Sequence, residues 1–156
     1  MAARMRLFAA RRLTEGEIAL ARGLYAGAVD ARGVRILQLP RFLGFGAMVP
    51  LGRTIVFSNW RAPLDFAAPE VELGEQAWFI HELAHVWQAR RGDILVLAKL
   101  GALGKRAYRV PPALVLARMN IEAQAEVARL LFLARAGKPD PGGPPPAELE
   151  RLWRGE

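Results

Sequence analysis

Both histidines of this chain stand four residues apart, in the run His-Glu-Leu-Ala-His at 81–85. This spacing constrains the fold, because residues four apart share one face of an α-helix, with their Cβ atoms about 6 Å apart. Chance placement of two histidines with a glutamate directly after the first would give the pattern in roughly one of a thousand such chains. The surrounding residues fit a helix from about 74 to 91 that stops at Gly92. The sequence therefore predicts a helix that carries two imidazoles on one face.

Two imidazoles at this spacing can bind a single metal ion, typically zinc. Glu82 lies about 100° around the helix from His81, so its carboxylate can face the open coordination position without binding the metal. A carboxylate there can take the proton of a zinc-bound water as the water attacks a carbonyl, which makes Glu82 a candidate general base. The alternative is a pair of histidines that only packs in a helical core.

A zinc site of this kind needs a third protein ligand, and composition limits the choice. The chain has no cysteine and no third histidine, so the ligand has to be a carboxylate. Between Gln88 and the Pro-rich segment near the C-terminus the only acids are Asp93, Glu122 and Glu126. Asp93 follows the motif helix too closely to fold back with ease. We predict Glu122 as the third ligand and Glu126 as the acceptor of a hydrogen bond from a bound imidazole, while exchanged roles or a solvated pair remain open.

A reacting carbonyl oxygen needs a hydrogen-bond donor about 3 Å away. Three candidates lie between the expected metal-bearing helices: Arg106, Tyr108 and Arg109. Tyr108 is the preferred donor, with simple packing in an apolar loop as the alternative. On the motif helix, the spacings of Trp78 and Trp87 favour core packing.

Gln88 stands three residues after the second histidine, on the same expected helix. Two interpretations are open for it. It is either a hydrogen bonder at the rim of the site or an ordinary helix residue.

The N-terminal half of the chain predicts one helix followed by strands. Thr14 and Glu17 have the spacing of a capping box, which places a helix start there and a helix end near Gly27. Residues 34–39 and 54–58 are β-type runs. The preferred interpretation of the second run is an ordinary strand of the sheet, and the alternative is a free edge to which an extended peptide could add as a further strand.

The C-terminal half predicts helices. A short helix over 93–103 and a long helix from about 113 to 136 follow the motif helix. The fold class is therefore α+β, with a domain over 13–137. Residues 138–156 form a Pro-rich linker and a short terminal helix.

The net charge of +7 favours anionic partners. Basic residues are not interleaved with aromatic ones as in nucleic-acid binders, so a nucleic-acid partner is not expected. No stretch reaches the length of a membrane span, and the basic start lacks the apolar core of a signal peptide. We expect a cytoplasmic protein, or one exported without a recognisable signal peptide.

The run His-Glu-Leu-Ala-His-Val-Trp-Gln at 81–88, followed by Glu-Ala-Gln-Ala-Glu at 122–126, resembles small bacterial Vgr-related zincin-like proteins. These are similar to a larger group of metallopeptidase-like domains that carry H-E-x-x-H-V-x-Q and are found near toxin and type VI secretion genes. The second run is also similar to the E-x-x-A-D element of gluzincin peptidases, in which the first acid binds zinc and the last orients a histidine. This chain has Glu126 where Asp is usual.

The resemblance covers roughly residues 13–137 and implies a minimal zincin-like domain. Its expected parts are a small antiparallel or mixed sheet, the motif helix and a C-terminal helix that carries the glutamates. It further implies a zinc-dependent hydrolase, most simply a small metallopeptidase that acts on a peptide or protein. The alternative is a zincin-like domain with little or no activity, in which structural zinc supports binding to a partner in a secretion or effector system.

Overall fold

The computed structural model describes residues 1–43, 47–50, 52–92, 108–111 and 115–155 of the chain. Its strands and helices are, in chain order, β1 (Ala10–Arg12), α1 (Glu15–Tyr25), β2 (Arg35–Gln38), β3 (Ala47–Met48), β4 (Thr54–Phe57), α2 (Leu73–Arg90), α3 (Ile121–Arg135) and α4 (Pro146–Arg154). Within the described ranges the chain is therefore an α+β domain with four α-helices and one small mixed sheet, which confirms the predicted fold class.

The sheet has the strand order β1-β2-β4-β3. β2 and β4 run parallel with Ile36 opposite Ile55, and both side chains are fully buried. β1 and β3 are antiparallel to their neighbours. Because β4 is paired with β2 on one side and with β3 on the other, it is an ordinary interior strand. The preferred interpretation of residues 54–58 as an ordinary strand is therefore confirmed, since Val56 and Phe57 are paired on both sides and offer no edge to a peptide.

Helix α1 begins where its capping box predicts. The hydroxyl of Thr14 accepts a hydrogen bond from the Glu17 backbone, and the Glu17 carboxylate accepts one from the Thr14 backbone. The same fully buried carboxylate accepts hydrogen bonds from both terminal nitrogens of Arg11 at 2.7 Å. It also accepts one from the Phe66 backbone N–H at 2.8 Å. Glu17 therefore joins three segments of the chain.

We expect Glu17→Gln to lower the free energy of unfolding by about 3 kcal/mol. The amide would turn an NH2 group toward groups that only donate, and it would leave Arg11 without its charge partner. Glu15→Gln is the matched control, because Glu15 pairs with Arg32 at the exposed surface and should cost less than about 1 kcal/mol. Urea unfolding of both variants checks the difference, and equal costs would contradict it.

Helix α2 carries the histidine motif and lies at the centre of the domain. Its bounds agree with the predicted helix, and Gly92 follows its end with a φ of 93°, a left-handed conformation that favours glycine. Buried side chains occupy almost every face of its second half. A helix that is buried all round packs against neighbours on every side, and α3 makes the most extensive of these contacts.

Helix α3 begins at Ile121, later than the sequence predicts. The expected start near 113 is wrong because the Asn120 side chain accepts a hydrogen bond from the Ala123 backbone N–H and caps the helix there. Residues 116–118 form a separate 3-10 turn. The predicted helix over 93–103, and Arg106 with it, lie outside the described residues.

The C-terminal helix α4 packs against α3. Leu149 and Leu152 are buried, and the indole N–H of Trp153 donates to the carbonyl of Leu24 in α1. Residues 138–145 form neither a helix nor a strand. None of the helices in the described ranges has the length and apolar character of a membrane span.

Candidate metal centre

Three predicted ligands converge where α2 packs against α3. The Nε2 atom of His81 lies 3.3 Å from Oε2 of Glu122, and the Nε2 atom of His85 lies 3.4 Å from the same oxygen. All three residues are buried, and one ligand atom from each lies within 4.8 Å of the others. In a tetrahedral zinc site with bonds of about 2.0–2.1 Å, ligand atoms are spaced about 3.3–3.4 Å apart. The three side chains could therefore hold one metal ion.

Without a metal, this cluster behaves as an ion pair. Burial disfavours the charged form of His81, but the carboxylates of Glu122 and Glu126, 3.3 Å and 3.6 Å from its two ring nitrogens, outweigh it and raise its pKa to about 9. Burial also works against the charged form of Glu122, yet hydrogen bonds from both histidines hold the pKa of this carboxyl far below its usual range. At neutral pH the metal-free site thus contains a carboxylate and a charged imidazole.

Glu126 lies one helical turn beyond Glu122 and faces the other nitrogen of the first imidazole. Its Oε2 atom is 3.6 Å from Nδ1 of His81. Arg129 donates to both carboxylate oxygens of Glu126 at 2.6–3.0 Å. Burial raises the pKa of Glu126, but His81 and Arg129 outweigh it and lower the pKa overall. The carboxylate is therefore ionised and held in place beside His81.

Glu82 is buried close to this cluster, with an exposed fraction of 4%. Its charge raises the pKa of both His81 and Tyr108. Its Oε2 atom and Nδ1 of His81 are buried without a hydrogen-bond partner among the described residues. A buried carboxylate oxygen without a partner has acceptor capacity to spare, so it can bind a water molecule or take a proton.

Two aromatic rings flank His81. The ring of Trp78 lies 5.0 Å from the imidazole, and that of Tyr108 stacks at 5.8 Å. Trp78 is 38% exposed, so the expectation that it packs in the core is wrong. Its ring contacts both the imidazole of His81 and the guanidinium of Arg129. Trp87 is partly buried against the Trp153 ring, as its spacing predicts.

Tyr108 is half-exposed at the edge of the cluster. Burial, together with the charges of Glu122 and Glu82 and a hydrogen bond with Glu122, raises its pKa to about 12. The phenol therefore keeps its proton at neutral pH and can donate a hydrogen bond. Tyr108 and Arg109 also line a cavity of about 400 Å³ that extends along Glu126 to Asp140.

Gln88 is fully buried and contacts the second histidine directly. Its amide oxygen lies 2.8 Å from Nδ1 of His85, and its amide nitrogen donates to the carbonyl of Ile121. Gln88 is thus a buried hydrogen bonder, neither at the rim nor an ordinary helix residue. Its position three residues after His85 is the sequence signal, since that spacing places both side chains on one helix face.

No family model matches the chain. The chain is similar to VgrG2b, a spike protein of the type VI secretion system of Pseudomonas aeruginosa, with 33% identity over 137 residues. That alignment covers 81% of this chain but only 13% of VgrG2b. The solved structure of the VgrG2b effector domain matches with a TM-score of 0.68 and 30% identity, over 94% of this chain and 83% of that domain. The chain therefore belongs to the family of the VgrG2b effector domain.

Proposed function

We propose that this chain is a zinc-dependent hydrolase of the zincin type and that it cleaves peptide bonds. One observation carries the proposal: two imidazoles and one carboxylate converge within 4.8 Å, with the unpartnered Glu82 oxygen buried near them. Two nitrogen ligands and one oxygen ligand fit zinc, and catalytic zinc sites combine three protein ligands with one open position. In this proposal His81, His85 and Glu122 are the three protein ligands.

Each remaining side chain has a defined task in this proposal. Bound zinc would supply a water of lowered pKa and would polarise the carbonyl of the substrate. Glu82 accepts the proton of the attacking water and passes it to the leaving amine. Glu126 orients the ring of His81 through its Oε2 atom, which lies 3.6 Å from Nδ1, while its pairing with Arg129 holds the carboxylate in place. Tyr108 donates to the oxygen that becomes negative in the transition state.

We expect Tyr108→Phe to slow hydrolysis about 10²- to 10³-fold while the affinity for zinc stays within a few fold of wild type. The phenylalanine keeps the stacking on His81 but removes the donor. Zinc titration against a chelator and single-turnover rates measure the two quantities separately. A variant that loses zinc affinity but keeps the wild-type rate when saturated with zinc would contradict this role. Tyr108 would then act by holding Glu122 in position through its hydrogen bond.

The affinity for zinc should rise with pH up to about pH 9. His81 has to lose a proton before its nitrogen can bind a metal, and in the metal-free chain its pKa is raised to about 9. Below that value each pH unit should weaken zinc binding about tenfold, and above it the dependence should level off. Chelator competition between pH 6.5 and 9.5 checks this slope. An affinity that is constant over this range would contradict it.

We further propose that the chain acts as an effector of a secretion system. Its relative is the effector domain of a spike protein, and the two share their fold over most of both lengths. The substrate class is then a peptide or protein of the target cell. A zincin-like module with structural zinc and no activity would have the same relatives, so activity has to be measured directly.

The experiment is a digest of a complex peptide library by the full chain loaded with one zinc per molecule. Mass spectrometry of new peptide termini reads out cleavage, with the same chain after chelation as the control. Cleavage that stops on chelation and returns with zinc is expected. If elemental analysis shows one zinc per chain and no peptide is cleaved, the hydrolase is contradicted and the module with structural zinc is favoured.

A further inference from the structure

We infer that Gln88 is a positioning residue: its amide oxygen accepts a hydrogen bond from Nδ1 of His85 and so turns Nε2 of that ring toward the metal site. The inference rests on the metal site of the proposed function and names a determinant of that site. Nothing in a histidine motif alone decides which nitrogen of each ring faces the ion, because a neutral imidazole can carry its proton on either one.

The orientation of the Gln88 amide is fixed by a backbone group. One end of this amide lies 2.8 Å from the carbonyl oxygen of Ile121. A carbonyl oxygen only accepts hydrogen bonds, so the NH2 end of the amide has to point at it. The oxygen of the amide then lies 2.8 Å from Nδ1 of His85. Because that oxygen also only accepts, Nδ1 carries the hydrogen.

A second glutamine fixes the same direction. The Gln88 nitrogen also donates to Oε1 of Gln124 at 3.0 Å, and the nitrogen of Gln124 donates to the carbonyl of Met119 at 3.0 Å. The hydrogen bonds therefore run in one direction, from the imidazole through two amides to a backbone carbonyl. Reversal of either amide would bring its oxygen against the carbonyl oxygen of Ile121 or of Met119, so that two acceptors would face each other. The relay consists of His85, Gln88 and Gln124.

This relay also connects the two helices that carry the ligands. Gln88 belongs to α2, whereas Ile121 and Gln124 lie in the first turn of α3, beside Glu122. Gln88 is fully buried, so its bonds hold that turn against α2 without competition from solvent. A single side chain thus orients one ligand and helps to position another.

The two imidazoles have different partners behind them. His81 has the ionised carboxylate of Glu126 at 3.6 Å from its Nδ1, whereas His85 has a neutral amide oxygen. A carboxylate makes an imidazole more basic, but an amide orients it without adding negative charge. The ring of His85 is therefore held in place by a neutral group, and no buried carboxylate is needed behind it.

The first test reads whether Nδ1 of His85 carries a hydrogen in the full metal-free chain. Long-range ¹H–¹⁵N spectra of ring-labelled histidine distinguish a ring nitrogen that carries hydrogen from a bare one. The chain has only two histidines, so signals that disappear in His85→Ala identify that ring. We expect a hydrogen on Nδ1 of His85, whether or not Nε2, which lies 3.4 Å from the Glu122 carboxylate, carries one as well. A bare Nδ1 would overturn the inference without any reference to zinc or hydrolysis.

The second test compares zinc affinity in three variants. Gln88→Met removes the acceptor at similar volume and should weaken zinc binding 10- to 100-fold. Gln88→Glu keeps an acceptor for Nδ1 and should retain the affinity within a few fold, although its melting temperature falls because Ile121 and Gln124 lose their donor. Gln76→Met is the matched control on the same helix. The amide nitrogen of Gln76 donates to the carbonyl of Val71 and not to a group at the histidines, so this variant should bind zinc as wild type does.

Two outcomes separate this inference from the proposed function. Wild-type affinity in Gln88→Met would overturn the positioning role even if the chain hydrolyses peptides. Conversely, a hydrogen on Nδ1 of His85 in a chain that binds zinc but cleaves nothing would leave the inference intact and contradict the hydrolase. If Gln88→Met does not fold, the presence or absence of that hydrogen in the wild-type chain still decides the matter.

Discussion

Replacing Glu82 with glutamine is expected to slow peptide hydrolysis by about 10²- to 10⁴-fold while one zinc per chain remains bound. The amide has nearly the shape of the carboxylate, but it cannot take a proton from water. Glu82 is buried, and its Oε2 atom has no partner among the described residues, so the change breaks no hydrogen bond at that oxygen. Single-turnover cleavage of the peptide library measures the hydrolysis rate, and elemental analysis of the same sample measures the zinc content per chain.

Glu75→Gln is the matched control for this prediction. Glu75 lies on the same helix but pairs with Arg4 near the surface, so its loss should leave the rate close to wild type. A Glu82→Gln variant that cleaves at the wild-type rate would exclude Glu82 as the base. A wild-type chain that is no more active than Glu82→Gln would favour the structural-zinc module.

The second large effect is expected at the third ligand. Glu122→Gln should weaken zinc binding by more than about 100-fold, because it replaces the carboxylate that lies 3.3–3.4 Å from both imidazole nitrogens with a neutral amide, which is a much weaker zinc ligand. Glu126→Gln should cost about 10- to 100-fold, the usual effect of losing a partner behind a bound histidine. Chelator competition at one pH measures both variants on one scale.

The order of the two affinities decides between the roles that spacing leaves open. A larger loss in Glu126→Gln would make Glu126 the ligand and Glu122 the orienting partner. Equal and small losses in both would mean that neither carboxylate binds the metal. Far-ultraviolet circular dichroism of each variant controls for unfolding, since both residues lie in α3.

Local signals explain why much of the fold could be predicted from the sequence. Helix α1 begins at its capping box, and α2 ends before Gly92, because caps and left-handed glycines act within a few residues. The missed start of α3 has a local signal too. Asn120 is a strong N-cap residue, but the apolar residues before it masked the helix start.

Other features depend on contacts between distant segments and have no local signature. Strand β1 has only three residues, and it is a strand because it pairs with β2. The relay from His85 through Gln88 to Gln124 requires the packing of α2 on α3, which the spacing along one helix does not contain. Trp78 lies beside His81 at a half-exposed surface for the same reason.

The candidate site was predictable because the composition is so limited. With two histidines and no cysteine, the third ligand had to be an acid, and few acids follow the motif. The structure brings Glu122 to both imidazoles and leaves Glu126 beside one of them. The groups beside Nδ1 of His81 and Nδ1 of His85 could not be predicted with certainty, because they depend on how α2 and α3 pack.

The most direct test of the metal site is a crystal of the full chain grown with zinc and measured on both sides of the zinc absorption edge. One anomalous peak is expected between α2 and α3, about 2.0–2.2 Å from Nε2 of His81, Nε2 of His85 and one oxygen of Glu122. A chain saturated with zinc that shows no peak there, or a peak held by other side chains, would contradict the assignment.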